Sequence, residues 1–485
     1  MTLLSACRRR WFTVSIATLL LISGLPVFAR EHPNIVFIVT DDQGPWAMGA
    51  AGDPNAVTPN MDRLRAEGTQ LTHCYTPTPV CSPARVSILT SRYGTELGIT
   101  DFLPRLHEGL PGLSPDVPTW PRELAKAGYA TALIGKYHCG DFPESHPTRI
   151  GYQEFRGFIH GGMVSQNPEV EVDGQVRTIE GWTPDILTDF ALDYIHRHRE
   201  GPFALSLHFW APHANAGTNE EGDRTWLPLS DADLSPFRQL DPLLPEPDYP
   251  DLDIPRTKRM LREYLGSVHS VDRNLGRVLN LLDELQLTEN TVVIFTADHG
   301  YNLGHHGIWH KGNGRWLLKH DQGHRANMWE QSLRVPALVK WPHEISADST
   351  VTHSVSHLDW FPTILAMAGV DLPETTLRGR NVLPLLKGES FQGDEEFFAQ
   401  YRMREDDGDG ADMRSYQTDR WKLIRYFRNK RPDEFYDRQQ DPEESTNLHK
   451  STAPEIQAAI TELNAKLKAA MERIDDPLIA AKNSE

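Results

Sequence analysis

The sequence predicts an α/β fold: a large, mostly parallel central sheet flanked by helices, followed by a smaller C-terminal α+β subdomain of antiparallel sheet plus helix. Two observations carry this. Ile35–Thr40, Ala130–Gly135, Phe203–Trp210 and Thr291–Thr296 are continuous apolar runs rather than alternating ones, as strands covered on both faces require. Between them lie helical patterns. The longest, from about Thr257 to Leu287, sets Leu261, Leu265, Val268, Leu275, Leu279 and Leu282 on one stripe.

Taken in order, the chain opens with Arg8, Arg9 and Arg10, an apolar run from Trp11 to about Leu25, and the small-residue site Val27-Phe28-Ala29. This pattern predicts a secretory signal peptide over 1–29. The run is shorter than the roughly 20 residues that span a bilayer, so the expectation is an exported protein, periplasmic or secreted, without a stable membrane anchor. The main domain is expected over 30–390. Its helices should start at Thr58-Pro59 and Thr183-Pro184, a capping hydroxyl before a proline. Residues 214–256, rich in Pro, Asp and Gly, read as a surface excursion. The C-terminal subdomain is expected over 391–485. It has a strand at Trp421–Phe427, a second short segment at Phe435-Tyr436-Asp437, and an amphipathic helix from Pro454 to about Arg473.

The formal net charge of −18 over 485 residues argues against binding nucleic acid or an anionic membrane. It would also repel a polyanionic substrate, so any such ligand needs a locally basic site. Cys7 leaves with the signal segment. Cys74 and Cys139 are open to two readings, buried free thiols or a disulfide, and the free thiols are favoured.

The predicted strands share one property. Each ends in ionisable residues: Asp41-Asp42, Lys136 and His138, His213, and Asp298-His299. In open parallel sheets ligands bind beyond the carboxyl ends of the strands, so the site belongs at that edge. Adjacent carboxylates repel unless a cation lies between them. Oxygen ligands favour calcium or magnesium over zinc. His305, His306 and His310 have no matched second cluster at ligand spacing, which argues against zinc there. Cys81-Ser82-Pro83-Ala84-Arg85 opens an apolar helix, whose free N–H groups and dipole can hold an anion.

That pentapeptide resembles the signature of the formylglycine-dependent sulfatases of the alkaline phosphatase superfamily. Further motifs follow in the family's order. They are Asp41-Asp42-Gln43-Gly44, Thr58-Pro59-Asn60-Met61-Asp62, Gly135-Lys136-Tyr137-His138, Ala211-Pro212-His213, Ala297-Asp298-His299-Gly300 and Lys311-Gly312. Asp419-Arg420-Trp421-Lys422-Leu423-Ile424 and Asp441-Pro442 are similar to its terminal subdomain.

The resemblance implies a sulfuric ester hydrolase in which Cys81 is oxidised by a maturation enzyme to formylglycine, whose hydrate attacks sulfate monoesters. It further implies that Asp41, Asp42, Asp298, His299 and the modified Cys81 bind calcium. Arg85 would stabilise the hydrate, Lys136 and Lys311 would bind sulfate, His138 would act on the second hydroxyl, and His213 would lie near the leaving oxygen. The expected substrate is a sulfated small molecule or glycan, with a carbohydrate sulfate preferred.

The sequence departs from the family at His310, where glycine is common, and in an apparent insertion between Asn313 and Asn327. The insertion carries Arg315, Lys319, His320, His324 and Arg325. It is read either as a surface loop or as a strap over the cleft that contacts acidic parts of a glycan, with Lys319 a substitute for Lys311. Two alternatives to a sulfatase stand beside it: a phosphodiesterase or phosphonate monoesterase of the same superfamily, and an exported glycan-binding protein without turnover.

Overall fold

The computed structural model describes residues 32–105, 109–110, 112–215, 218, 224–404, 410–428 and 431–482. The expected signal peptide, 1–29, lies outside them.

Ten strands form the central sheet: β1 (Asn34–Thr40), β2 (Thr69–Leu71), β3 (Ala130–Lys136), β4 (Glu154–Phe158), β5 (Glu169–Val172), β6 (Gln175–Thr178), β7 (Phe203–His208), β8 (Thr291–Ala297), β9 (Ala337–Lys340) and β10 (Ser349–Val351). Their spatial order is β10-β2-β9-β8-β1-β7-β3-β4-β5-β6. The five strands from β8 to β4 run parallel, and antiparallel pairings extend both edges.

Burial on both faces explains the continuous apolar runs. In β1, Val36 and Ile38 pack toward the helices Thr183–His198 and Ile254–Glu284. Ile35, Phe37 and Val39 pack toward Cys81–Thr90, Trp120–Lys126 and Trp360–Ala368. Each such side chain contributes about 1.5–3 kcal/mol relative to exposure.

Local chemistry moved some helix ends. The longest helix begins at Ile254, three residues before the expected start, because the Asp253 side chain accepts from Arg256 N (3.2 Å) and Pro255 sits in its first turn. Thr58 does precede a helix, Pro59–Glu67, but its hydroxyl is used elsewhere: it accepts from Gly49 N (2.8 Å) and donates to Asp62 Oδ1 (3.2 Å). Thr183 is the first residue of its helix rather than the cap.

The C-terminal part is a four-stranded antiparallel sheet of Phe397–Met403, Ala411–Gln417, Trp421–Arg428 and Glu434–Asp437. Helix Pro454–Arg473 covers one face through Ala459, Ile460, Leu463 and Leu467, which meet Phe398, Leu423 and Phe435. The other face carries Phe397, Ala399 and Tyr401 onto Tyr75, Val80, Ile308 and Trp329. Period-two alternation thus buries both sides of these strands.

Candidate active site

The carboxyl ends of β1, β3, β7 and β8 converge, and the loops leaving them carry the expected residues. Asp41 and Asp42 follow β1, and Asp298 and His299 follow β8 in register beside it, with Thr40 opposite Ala297. One donor atom from each of Asp41, Asp42, Cys81 and His299 lies within 4.8 Å of the others. Asp298 adjoins this group, its Oδ1 lying 3.3 Å from His299 Nε2 and accepting from His299 N (3.0 Å). All five side chains are buried.

Cys81 is the first residue of the ten-residue helix Cys81–Thr90, every residue of which is buried. Its Sγ lies 3.7 Å from Asp41 Oδ1 and 2.8 Å from Lys311 Nζ. Burial pushes the thiol up to about 12, against the pull of Lys136 and Lys311, so it is a protonated thiol near neutrality.

Cations ring the acidic group. Lys136 Nζ donates to Asp41 Oδ2, and Lys311 Nζ donates to Asp42 Oδ1 (2.6 Å). Arg85 spans the floor: Nε meets Asp298 Oδ2 at 3.0 Å, and Nη1 donates to the Lys136 carbonyl at 3.0 Å. Burial alone would raise the carboxyls of Asp41 and Asp42, yet these cations and His213 hold both below the usual range. Burial and the charge on Asp41 raise that of Asp298.

Lys311 is set in place by one backbone bond and one side-chain bond. Gly312 N donates to Pro79 O (3.0 Å), two residues before Cys81, and Asn327 Nδ2 holds the Lys311 carbonyl (2.9 Å).

The histidines have defined ring orientations. His299 Nδ1 faces Gly300 O (2.9 Å), which turns the Nε2 lone pair toward the carboxylates. His138 Nε2 faces Leu103 O (3.0 Å), and its Nδ1 is buried without a partner. His213 Nδ1 faces Ala214 O (2.6 Å), and its Nε2 lies 3.8 Å from Asp42 Oδ2. Burial lowers the pKa of His138 well below its usual value and that of His213 to about 4. Asp42 (φ 68°) and His138 (φ 53°) occupy the left-handed region, a conformation concentrated at functional sites.

The site can hold a divalent cation. Asp42 Oδ2 and His299 Nε2 are buried and lack hydrogen-bond partners, and both belong to the four-residue donor group. Carboxylates with one imidazole suit a hard or borderline cation.

A cavity of about 650 Å³ opens above Cys81, lined among others by Lys136, His138, His213, His310 and Lys311. Several lining residues escaped the sequence reading. Arg105, His160 and Arg224 add positive or titratable groups to the wall. Gly161 lies against the His138 ring, where a Cβ would come within 2.5 Å of Cε1. Arg224 belongs to the segment read as a surface excursion, and its neighbour Trp226 is buried beside Tyr264.

The insertion is a β-hairpin of Asn313–Trp316 and His324–Ala326 in a four-stranded antiparallel sheet. Of its residues only Asn313 lines the cavity. Arg325, expected over the cleft, instead meets Glu434 Oε1 (2.6 Å) and Tyr426 Oη (2.9 Å) on the C-terminal sheet. Lys319 is exposed, and it is Lys311 that reaches Cys81. His305 packs on Trp46 and His306 on Trp329, and neither joins the metal-ligand group. Cys74, Cys81 and Cys139 are all free and buried.

A family model described as Sulfatase matches residues 33–370. The chain belongs to the sulfatase family, and it is a sulfatase by activity class. A second model, N-sulphoglucosamine sulphohydrolase, C-terminal, matches residues 320–473 of this sulfatase. An N-acetylglucosamine-6-O-sulfatase of Bacteroides thetaiotaomicron is 28% identical over 86% of this chain and 83% of its own length. Human steryl-sulfatase is 30% identical over 77% of this chain and 73% of its own. A solved structure of a protein with its substrate D-glucosamine-2-N,6-O-disulfate superposes with a TM-score of 0.78, at 25% identity, covering 92% of this chain and 99% of that one. The fold alone is shared with a phosphonate monoester hydrolase from Silicibacter pomeroyi, at a TM-score of 0.66 and 21% identity over 92% of this chain and 96% of that one.

Proposed function

We propose that this sulfatase hydrolyses sulfate monoesters on a carbohydrate, after oxidation of Cys81 to formylglycine by a maturation enzyme. One observation carries the reading. Residue 81 stands at a helix start between an ammonium group, Lys311, and a buried acidic group with unused ligand atoms. The carbohydrate is supported by the relative named as an N-acetylglucosamine-6-O-sulfatase, and by the glucosamine disulfate complex.

Asp41, Asp42, residue 81 and His299, with Asp298 adjoining, would hold calcium, which supplies positive charge against the sulfuryl oxygens and favours loss of a proton from the attacking hydroxyl. The formylglycine hydrate supplies two hydroxyls on one carbon, one to attack and one whose proton is lost as sulfate departs, which serine could not do.

The remaining work falls to the chain's own side chains. Lys136 and Lys311 bind sulfuryl oxygens and offset charge that grows in the transition state. Arg85, tied to Asp298 and to the Lys136 carbonyl, holds the floor rigid and adds charge. His213, its Nδ1 engaged by Ala214 O, presents Nε2; there it would act as the acid only after taking up a proton, which the negative charge of a bound sulfate ester favours, and it would then pass that proton to the departing alkoxide. His138 directs its Nε2 proton to Leu103 O, leaving the Nδ1 lone pair to take the proton of the second hydroxyl.

The reading assigns residues 1–29 to an export signal, 30–390 to the catalytic domain and 391–485 to a C-terminal subdomain. Among the described residues no helix is long and apolar enough to cross a membrane.

The test is co-expression with a maturation enzyme, mass spectrometry of the Cys81 peptide, and sulfate release from defined sulfated saccharides. Sulfate release that tracks the aldehyde fraction and vanishes in C81A supports the reading. Preferential cleavage of aryl phosphate or phosphonate esters overturns it, as does an aldehyde-bearing protein that binds saccharides without turnover.

A further inference from the structure

The catalytic cavity has a second cationic region. Arg224 lines its wall with His213, His310 and Lys311. Asn313, also a lining residue, begins the strand Asn313–Trp316. Strand alternation places Arg315, two positions on, on the face of Asn313. Arg315 stands opposite Trp309 in the adjacent strand.

Partial burial, with the positive charges of Arg224 and Arg256, holds the Arg315 guanidinium below its usual range. Arg224 acts in the same sense on His310. Among the described residues neither Arg224 nor Arg315 forms an ion pair, whereas Arg325 of the same hairpin is neutralised by Glu434. Gathering like charges costs free energy, and in a chain of net charge −18 carboxylates to offset them were plentiful. A guanidinium pair beside a concave wall is suited to a planar or tetrahedral anion.

We propose that Arg224 and Arg315 bind a second anionic group of the substrate, a carboxylate or a further sulfate, on the sugar that carries the scissile sulfate or on its neighbour. This rests on the carbohydrate-sulfatase reading above and narrows it to substrates with at least two anionic groups. The second anion also answers the long-range repulsion by the acidic surface, because the attraction is local.

The test uses full-length, aldehyde-bearing enzyme turning over 4-nitrophenyl sulfate, with three competitors. These are N-acetylglucosamine 6-sulfate, glucosamine 2-N,6-O-disulfate, and a disaccharide joining a uronate to N-acetylglucosamine 6-sulfate. At least one doubly charged competitor should bind about tenfold or more tighter than the singly charged one, the scale of a charged hydrogen-bond pair. Tighter binding of the disulfate identifies a sulfate as the second anion, and of the uronate disaccharide a carboxylate. The advantage should shrink in high salt. R224Q and R315Q should each lower the ratio of the two inhibition constants, and the double variant should bring it near one. Using a ratio, and single variants beside the double one, keeps a loss of folded protein from deciding the result. Equal inhibition by all three sugars, or a ratio that survives both substitutions, would overturn the Arg224–Arg315 site. Failure of the aldehyde-bearing native enzyme to release sulfate from 4-nitrophenyl sulfate and from all three sugars would instead defeat the underlying sulfatase mechanism.

Discussion

Lys311 Nζ lies 2.8 Å from Cys81 Sγ and also donates to Asp42 Oδ1 at 2.6 Å. One ammonium group therefore serves both the reacting position and the acidic group beneath it. K311A should lower kcat by about 10²–10³-fold, the usual cost of removing a preorganised donor to a developing oxyanion. It should also lower the thermal midpoint of metal-free protein, since Asp42 loses its principal cation. Calcium should restore the midpoint but not the rate. A variant that recovers both would show that Lys311 only balances charge.

Metal removal has a similarly divided outcome. Two carboxylates share a buried site, so a bound divalent cation should stabilise the folded chain. The gain is about 2.7 kcal/mol when the free ion stands at 100 times its dissociation constant. Chelation should abolish turnover and lower the unfolding midpoint, and D42N should lose most of the metal-dependent rise. Calorimetry with and without calcium checks this. An unchanged midpoint would count against the ligand set.

The position of His138 depends on a residue with no side chain. Gly161 packs on the imidazole so closely that a Cβ would fall 2.5 Å from Cε1 and 2.6 Å from Nε2. G161A should push the ring from its bond to Leu103 O and lower kcat about a hundredfold, as small misplacements of reacting groups do. Its thermal midpoint should change little beside that of a core truncation such as L205A, which should cost about 2–5 kcal/mol. A G161A enzyme with native kcat would remove His138 from the chemistry.

Strand ends were legible in the sequence because four of the five parallel strands are largely apolar runs broken abruptly by charge, as at Thr40-Asp41 and Ala297-Asp298, whereas Glu154–Phe158, with Glu154 and Arg156, has no such signal. Strands buried on both faces leave no other place for those groups than the sheet's edge. Gly161 was not legible, since a glycine's contact with a ring 23 positions away has no periodic signature. Arg224 was hidden in a segment whose Pro, Asp and Gly content speaks only of irregular backbone. The hairpin misled for a different reason. Its basic composition was visible, but which arginine shares the face of Asn313 and which meets Glu434 depends on strand pairing, and a shift of one residue exchanges the faces.

Arg325 and Glu434 supply the last prediction. Their side chains meet at 2.6 Å, and the guanidinium also lies over the Trp329 ring at 4.6 Å. The pair joins the hairpin to the C-terminal sheet, so R325Q should act on stability rather than on KM. Removing one member of a buried pair strands the other, at a cost of about 3–5 kcal/mol. Burial would raise the Glu434 carboxyl, but Arg325 and the tyrosines Tyr436 and Tyr426 hold it below the usual glutamate range. Glu434 therefore holds its proton less tightly in the folded chain than in the unfolded one. Its contribution is complete above the ordinary glutamate range and is lost as pH falls through that range and below it. Unfolding free energy measured from pH 7 down to pH 3 should decline less steeply in E434Q than in the native chain, from a lower starting value. Parallel curves would show that the pair carries no acid-dependent stability, and a KM raised in R325Q at native stability would return Arg325 to the substrate.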